Sequence, residues 1–107
     1  GGERSSDKRK IMGKIADSYS NEIIITNDNP RGENPKKIAN QIVEGINKHS
    51  NYQVILNRSK AIRKCITSEN KNKIVLILGK GHETKQIFKK NSIHFSDKEE
   101  VQKAFKL

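Results

Sequence analysis

In the stretch IIITNDNPRGENPKKIANQI, Ile23–Ile42, an apolar run is followed by turn-forming residues and then by a segment with helical periodicity. β-Branched residues at its start predict a short strand over residues 22–26. Asn34 and Pro35 then supply an N-cap and a first-turn proline for a helix. The expected buried stripe of that helix is Ile38, Ala39, Ile42, Val43 and Ile46. The stretch therefore predicts a strand, a polar turn and an amphipathic helix in that order.

Three other segments have apolar residues at helical spacing, and each begins near a residue that can cap a helix. The predicted caps are Asp7 for the first, Ser59 for the third, and Ser96 or Asp97 for the last. The apolar residues expected on their buried faces are Ile11, Met12, Ile15, Ala16 and Tyr19 in the first helix, Ile62, Cys65 and Ile66 in the third, and Val101, Ala104 and Phe105 in the last.

Short β-branched runs at Gln53–Leu56 and Lys73–Leu78 predict two more strands, and KQIFKKNSIHF predicts a C-terminal β-hairpin with its turn at Lys90 and Asn91. The run Lys73–Leu78 is apolar after its first residue, as expected for a strand covered on both faces. The alternation of helices and strands predicts an α/β fold with helices on both faces of a mainly parallel sheet. A Gly-Gly pair before a helix normally follows a strand, so we expect the chain to be a fragment that lacks the sheet's first strand or strands.

The composition limits the classes of function. Twenty-two basic residues against twelve acidic ones give a formal net charge of +10, which suggests anionic partners, although an ordinary lysine-rich surface is the favoured interpretation of the charge alone. The basic residues are scattered and only 5% of residues are aromatic, so a nucleic-acid-binding module remains the less favoured alternative. The single cysteine, Cys65, excludes an internal disulfide and a cysteine-based zinc site, and it fits a reducing cytosol. The sequence shows no membrane-spanning stretch, no metal-binding cluster and no catalytic triad.

Three polar loops are expected to meet at the carboxyl edge of the sheet. The first, GGERSSDKRK, carries Arg4 near a helix N-terminus. The second, NDNPRGEN, holds Asp28, Asn29 and Arg31 around Pro30, and a guanidinium fixed there can bind a carboxylate. From spacing alone, an ordinary turn with a solvated arginine is the favoured interpretation, and the carboxylate site remains the alternative.

The third loop, GKGHE, is not a P-loop, because its spacing differs and no Ser or Thr follows Lys80. Gly79 allows close approach of the backbone to a ligand, and Glu83 can pair with an ammonium group. The role of His82 stays open, since a lone loop histidine usually bonds locally. A carboxylate binder and an ammonium binder at one edge suit an amino acid.

At these residues the sequence resembles the Mur ligases, the ATP-dependent enzymes that build the peptidoglycan stem peptide. The segments GGERSSDKRKIMGKIA, IIITNDNPRGENPKKIANQI, NRSKAIRKCI, IVLILGKGHETKQIF and FSDKEEV carry the resemblance, in family order and over essentially the whole chain. It implies that residues 1–107 are the Rossmann-like C-terminal domain of a three-domain cytoplasmic ligase. The N-terminal UDP-sugar domain and the central ATPase domain would lie outside this chain, which alone should be inactive.

The resemblance is to the members that add meso-diaminopimelate to UDP-MurNAc-L-Ala-D-Glu through an acyl phosphate, with ATP and Mg²⁺ bound mainly outside this segment. It implies that the diaminopimelate contacts are Arg4, Asp28, Asn29, Pro30, Arg31, Gly79 and Glu83. It implies no catalytic residue and no metal ligand here. A ligase adding another amino acid, such as L-lysine, is the alternative within the family. Arg31 is the residue expected to decide between them, because lysine lacks the second carboxylate.

Overall fold

The computed structural model describes residues 1–69 and 72–106, and within them four helices and four strands follow the predicted α/β order. In chain order they are α1 Asp7–Tyr19, β1 Ile23–Ile25, α2 Pro35–Val43, β2 Tyr52–Val54, α3 Arg58–Thr67, β3 Lys85–Ile87, β4 Ser92–His94 and α4 Asp97–Ala104. No helix among these residues is long and apolar enough to cross a membrane.

Strands β1 and β2 are parallel, with Ile23 opposite Tyr52 and Ile25 opposite Val54. Helix α2 lies in the connection between them, as a parallel pair requires. Strands β3 and β4 form the predicted antiparallel hairpin, and the Phe88 N–H donates to the Asn91 carbonyl across its turn at 2.8 Å. The parallel pair with its helices and the C-terminal hairpin confirm the predicted α/β class.

The core is built where α2 covers β1. Ile23 and Ile25 of the strand pack with Ala39 and with Ile46, which follows the helix. The partly buried side chains around them are Ala16, Ile42, Val43, Tyr52 and Leu56. The predicted stripe of α2 is therefore confirmed, and it anchors the turn between β1 and α2 on a packed layer.

The predicted buried stripe of α1 is wrong, except for the half-buried Ala16. Its other members are at least half exposed: Ile11, Met12, Ile15 and Tyr19. Helix α1 instead packs on α2 through a close backbone approach, because a Cβ on Gly13 would lie only 2.0 Å from the Ile42 carbonyl oxygen. On the other side of the contact, a Cβ on Gly45 would lie 1.9 Å from the Lys10 carbonyl oxygen. The two helices therefore approach closely where the chain has glycines.

The predicted strand Lys73–Leu78 has no ladder partner among the described residues, and its expected two-sided burial is wrong. The side chains of Ile74, Leu76 and Leu78 are 76–92% exposed, while those of Val75 and Ile77 are half-buried. An apolar run predicts an extended segment, but the number of neighbours that cover it depends on tertiary packing. Here one side of the segment is covered and the other is open.

Two predicted helix caps are confirmed. The Asn34 side chain accepts from the Lys36 N–H at 2.9 Å, and the Ser96 side chain caps α4. Two others differ. Asn57 caps α3 in place of Ser59, whose hydroxyl donates to Glu100 in α4. Asp7 is the first residue of α1 rather than its cap.

Candidate functional site

The first and second loops are in direct contact. The Gly2 N–H donates to the Asn29 carbonyl at 2.6 Å, and Arg31 Nη1 donates to the Gly2 carbonyl at 2.9 Å. A Cβ on Gly2 would lie 1.7 Å from the Pro30 carbonyl oxygen, so only glycine allows this approach. The chain start therefore lies against the turn that carries Arg31.

Arg31 has an unusual backbone for a residue with a side chain. Its φ of 53° is in the left-handed region, and its N–H donates to the Ile87 carbonyl at 3.0 Å. The side chain is half-buried, and Gly2 is its only hydrogen-bond partner among the described residues. The exposed Arg4 is close by, because Gly1 is flanked by both arginines. The guanidinium of Arg31 is thus fixed at one corner and keeps further N–H groups for a ligand.

An ion pair between Arg9 and Glu33 holds the two loops together. The Arg9 side chain is buried, and its two terminal nitrogens donate to the two Glu33 oxygens at 2.6 and 2.9 Å. The same guanidinium donates to Gln41 and to the Gly1 carbonyl. The hydrogen bonds from Arg9, with one from the Glu3 N–H, lower the pKa of the Glu33 carboxyl to about 2. This pair clamps the turn that carries Arg31.

The third loop reaches the second through Lys80. Its side chain is fully buried, and Nζ lies 2.7 Å from Asn29 Oδ1, 3.2 Å from Asp28 Oδ1 and 3.9 Å from Glu83 Oε1. Gly79, with a φ of 108°, lies against the Asp28 carboxylate and turns the chain so that Lys80 points inward. One ammonium and two carboxylates therefore meet beside the Asn29 amide.

The backbone before Asp28 is held from two further directions. Arg58 Nη1 donates to the Asn27 carbonyl at 3.0 Å, and its Nη2 donates to the Leu78 carbonyl at 3.2 Å. Arg58 is itself paired with the Asp97 carboxylate in a buried bidentate contact at 2.7 and 2.8 Å. From the hairpin, Gln86 Nε2 donates to the Asp28 carbonyl at 3.0 Å. These contacts fix where the second and third loops begin.

The structure brings all seven predicted site residues onto one continuous surface. Asp28, Asn29, Gly79 and Glu83 surround Lys80, and Pro30 joins this cluster to Arg31, with Arg4 beyond it. The predicted meeting of the three loops is confirmed. Which of these residues contact a ligand stays a prediction. His82 is exposed beside the cluster.

Three buried cations, Arg9, Arg58 and Lys80, were missed as parts of the site. Arginine and lysine are rarely fully buried, so the burial of these three was not expected. Their spacing in the sequence did not set them apart either. The sequence did offer a signal for Lys80, because it lies between two glycines. Both glycines adopt positive φ in the structure. For Arg9 and Arg58 the sequence offers no comparable signal.

A shallow groove of about 610 Å³ lies on the far side of the Arg31 turn. The second loop and the hairpin turn line it, and they place Arg31, Lys89 and Lys90 along its walls. Among the described residues no group of three or more His, Cys, Asp or Glu side chains could hold a metal ion. Three basic side chains lie along the walls of this groove.

A family model described as the Mur ligase, glutamate ligase domain, matches residues 1–81. This chain belongs to the Mur ligase family. The Mur ligase domain is 50% identical over 97 residues to the UDP-N-acetylmuramoyl-L-alanyl-D-glutamate–2,6-diaminopimelate ligase of Wigglesworthia glossinidia brevipalpis, a match that covers 91% of this chain and 20% of that protein. It is 49% identical over 100 residues to the ligase of the same name from Clostridioides difficile, with coverage of 92% and 21%.

A solved structure of a UDP-N-acetylmuramoyl-L-alanyl-D-glutamate–2,6-diaminopimelate ligase superimposes with a TM-score of 0.92 at 34% identity. The match covers 99% of this chain and 22% of that one. The resemblance and the Rossmann-like α/β class predicted from the sequence are thereby confirmed. The chain spans about one-fifth of the length of these relatives.

Proposed function

We propose that this chain is the C-terminal, amino-acid-binding domain of a cytoplasmic Mur ligase that adds meso-diaminopimelate to UDP-MurNAc-L-Ala-D-Glu. The names of the relatives support the choice of reaction. Since the chain spans only about one-fifth of their length, the activity would belong to a longer protein with further domains. The share of the reaction assigned to this domain is recognition of the incoming amino acid.

The observation that carries the proposal is the arrangement of charge along the second loop. Arg31, with Arg4 close by, forms a cationic side, while Asp28 and Glu83 form an acidic side around Lys80. Asn29 and Pro30 join the two sides through two residues of backbone. An amino-acid head carries one carboxylate and one ammonium group, and this surface offers a partner for each.

Arg31 is the residue proposed to favour diaminopimelate over L-lysine. Diaminopimelate has a carboxylate at its far end, where lysine has none, and the Arg31 guanidinium has unpaired N–H groups for it. Leaving a partly buried charged donor without a partner costs about 1–3 kcal/mol, which corresponds to roughly 5- to 150-fold in affinity.

We assign ATP and Mg²⁺, which such ligases use, to residues outside this chain. The sequence contains no P-loop, and the described residues contain no cluster of acidic side chains and histidines suited to a metal ion. ATP supplies the activated acyl phosphate in the complete enzyme. The residues of this chain bind and orient the amine that attacks it.

The test is an amino-acid panel with the full-length protein, ATP, Mg²⁺ and UDP-MurNAc-L-Ala-D-Glu, with phosphate release and amide product both measured. We expect the value of kcat/KM to be highest for meso-diaminopimelate and at least about fivefold lower for L-lysine. A preference for lysine would assign the protein to the other branch of the family. The absence of amide product with every amino acid would overturn the proposal.

A further inference from the structure

We infer that Lys80 is a positioning residue for amino-acid recognition, which orients the Asn29 amide so that its nitrogen faces the substrate. This inference rests on the proposed function and adds a residue to it, since Lys80 is not among the expected substrate contacts. The evidence for this inference is the hydrogen bonding of the Lys80 and Asn29 side chains.

The orientation of the Asn29 amide follows from its two donors. Asn29 Oδ1 accepts from Lys80 Nζ at 2.7 Å and from the Ile87 N–H at 3.0 Å. Both partners can only donate, so the atom between them must be the oxygen, and its two lone pairs are both used. A flipped amide would place an N–H against an ammonium group and a backbone N–H. The contact with Lys80 therefore excludes the flipped state.

The amide nitrogen is left as the free end of Asn29. Asn29 Nδ2 has no acceptor among the described residues. Every buried polar side-chain atom of the described residues has a hydrogen-bond partner. A nitrogen without an acceptor must therefore reach solvent, although only 5% of Asn29 is exposed. A fixed N–H donor at the mouth of a cluster of charged groups is suited to a substrate carboxylate.

Lys80 also sets the charge of the cluster. Its ammonium group lies between the carboxylates of Asp28 and Glu83, so the three groups together carry one net negative charge. That charge suits the single ammonium of an amino-acid head. Without Lys80 the two carboxylates would repel each other and Asn29 would lose one of the two donors that fix it. Removing the lysine should therefore weaken binding of the amino acid specifically.

The test is Lys80→Met in the full-length ligase, with Lys85→Met as control because Lys85 is an exposed lysine of β3. We expect the KM for diaminopimelate to rise about tenfold or more, while the KM values for ATP and the UDP-peptide stay within about twofold. A purely structural role would lower the fraction of active enzyme, and so kcat, without raising that one KM. An unchanged KM for the amino acid would overturn the inference.

A double-mutant cycle shows whether Lys80 acts through Asn29. If each single change, Lys80→Met and Asn29→Ala, raises the KM about tenfold, the rise in the double variant should stay well below a hundredfold, because both changes remove the same oriented amide. A hundredfold rise would show independent action and overturn the inference.

Asn29→Asp keeps the result decisive if Lys80→Met does not fold. This nearly isosteric change preserves the contact with Lys80 but replaces the free N–H donor by an acceptor. The KM for diaminopimelate should rise about tenfold or more, and an unchanged KM would contradict the inference. If the unmodified ligase forms no amide with any amino acid, the proposed function itself fails, and that outcome is separate from every comparison among variants.

Discussion

Arg31 is held in a left-handed backbone conformation that costs a residue with a side chain about 1–3 kcal/mol, so the surrounding contacts must impose it. The hydrogen bond from its N–H to Ile87 and that from its guanidinium to Gly2 supply two of them. The Arg9–Glu33 pair clamps the following residues. The strain indicates that the position of the guanidinium, and not only its charge, matters to this turn.

At the scale of single residues, acid unfolding should report the Arg9–Glu33 pair. Because Arg9 lowers the Glu33 pKa from 4.5 to about 2, the ionised carboxyl stabilises the folded chain above pH 4.5. That contribution is lost as the pH falls from 4.5 towards 2. In Glu33→Gln the free energy of unfolding should depend less on pH between 4.5 and 2. Urea denaturation followed by circular dichroism measures it.

Two further variants check that assignment. Arg9→Met removes the cause of the lowered pKa, so it should flatten the same part of the acid profile. Arg63→Met removes an exposed arginine of α3 and should leave the profile as it is in the unmodified chain. If the free energy of unfolding of Glu33→Gln depended on pH between 4.5 and 2 as steeply as that of the unmodified chain, the pair would not stabilise the fold.

The Arg58–Asp97 pair makes a second prediction at this scale. Asp97→Ala should lower the free energy of unfolding by about 3–5 kcal/mol, because it leaves a buried guanidinium without its carboxylate. Lys98→Ala, at the exposed neighbour, should change it by less than about 0.5 kcal/mol. Urea denaturation measures both values, and equal stability of the two variants would contradict the role given to this pair.

The meeting of the three loops was predictable from sequence, whereas the buried groups that hold the loops together were not. Asp28, Asn29 and Arg31 stand out because turn residues, a proline and a cation follow a strand directly. Arg9 resembles the other basic residues of a chain with 22 of them, and the glycines on either side of Lys80 are the only feature that distinguishes it. Their burial depends on partners far away in sequence, such as Glu33 for Arg9 and Asp28 for Lys80.

At the scale of elements, helix α2 was predicted almost completely because its cap, its proline and its apolar stripe agree with one another. For α1 the periodicity was correct, but the choice of buried face was wrong. The pattern gives the faces of a helix, but not which one a neighbour covers. The same limit explains Lys73–Leu78, where an apolar run has only one covered side.

The packing of α1 on α2 should depend on its two glycines. Gly13→Ala should destabilise the chain by at least about 2 kcal/mol although alanine favours helices, because the new methyl group would meet the Ile42 carbonyl at 2.0 Å. Lys14→Ala, at an exposed position of the same helix, should change stability by less than about 0.5 kcal/mol. Thermal unfolding checks both, and a stabilised Gly13→Ala would show that the helices do not approach this closely.

At the scale of the whole molecule, two apolar surfaces are open in the described chain. One is the outer face of α1, with Ile11 and Ile15, and the other is formed by Ile74, Leu76 and Leu78. Open apolar surface of this kind favours association with other protein. The relatives are about five times longer than this chain.

We therefore expect the isolated 107-residue chain to self-associate. The double variant Ile74→Lys/Leu76→Lys should shift it towards monomer in analytical ultracentrifugation, while the thermal midpoint changes little, because both side chains are already exposed. Lys73→Ala, a neighbouring change without added charge, should not have this effect. A monomeric unmodified chain would contradict the expectation.

The decisive test of the proposed role of Arg31 compares the full-length protein before and after Arg31→Ala. The quantity to measure is its preference for meso-diaminopimelate over L-lysine, as a ratio of kcat/KM values. The loss of the guanidinium should reduce this ratio by roughly 5- to 150-fold, chiefly through activity with diaminopimelate. Arg63→Ala, at an exposed arginine, is the matched control. An undiminished preference in Arg31→Ala would contradict the claim that Arg31 recognises the second carboxylate.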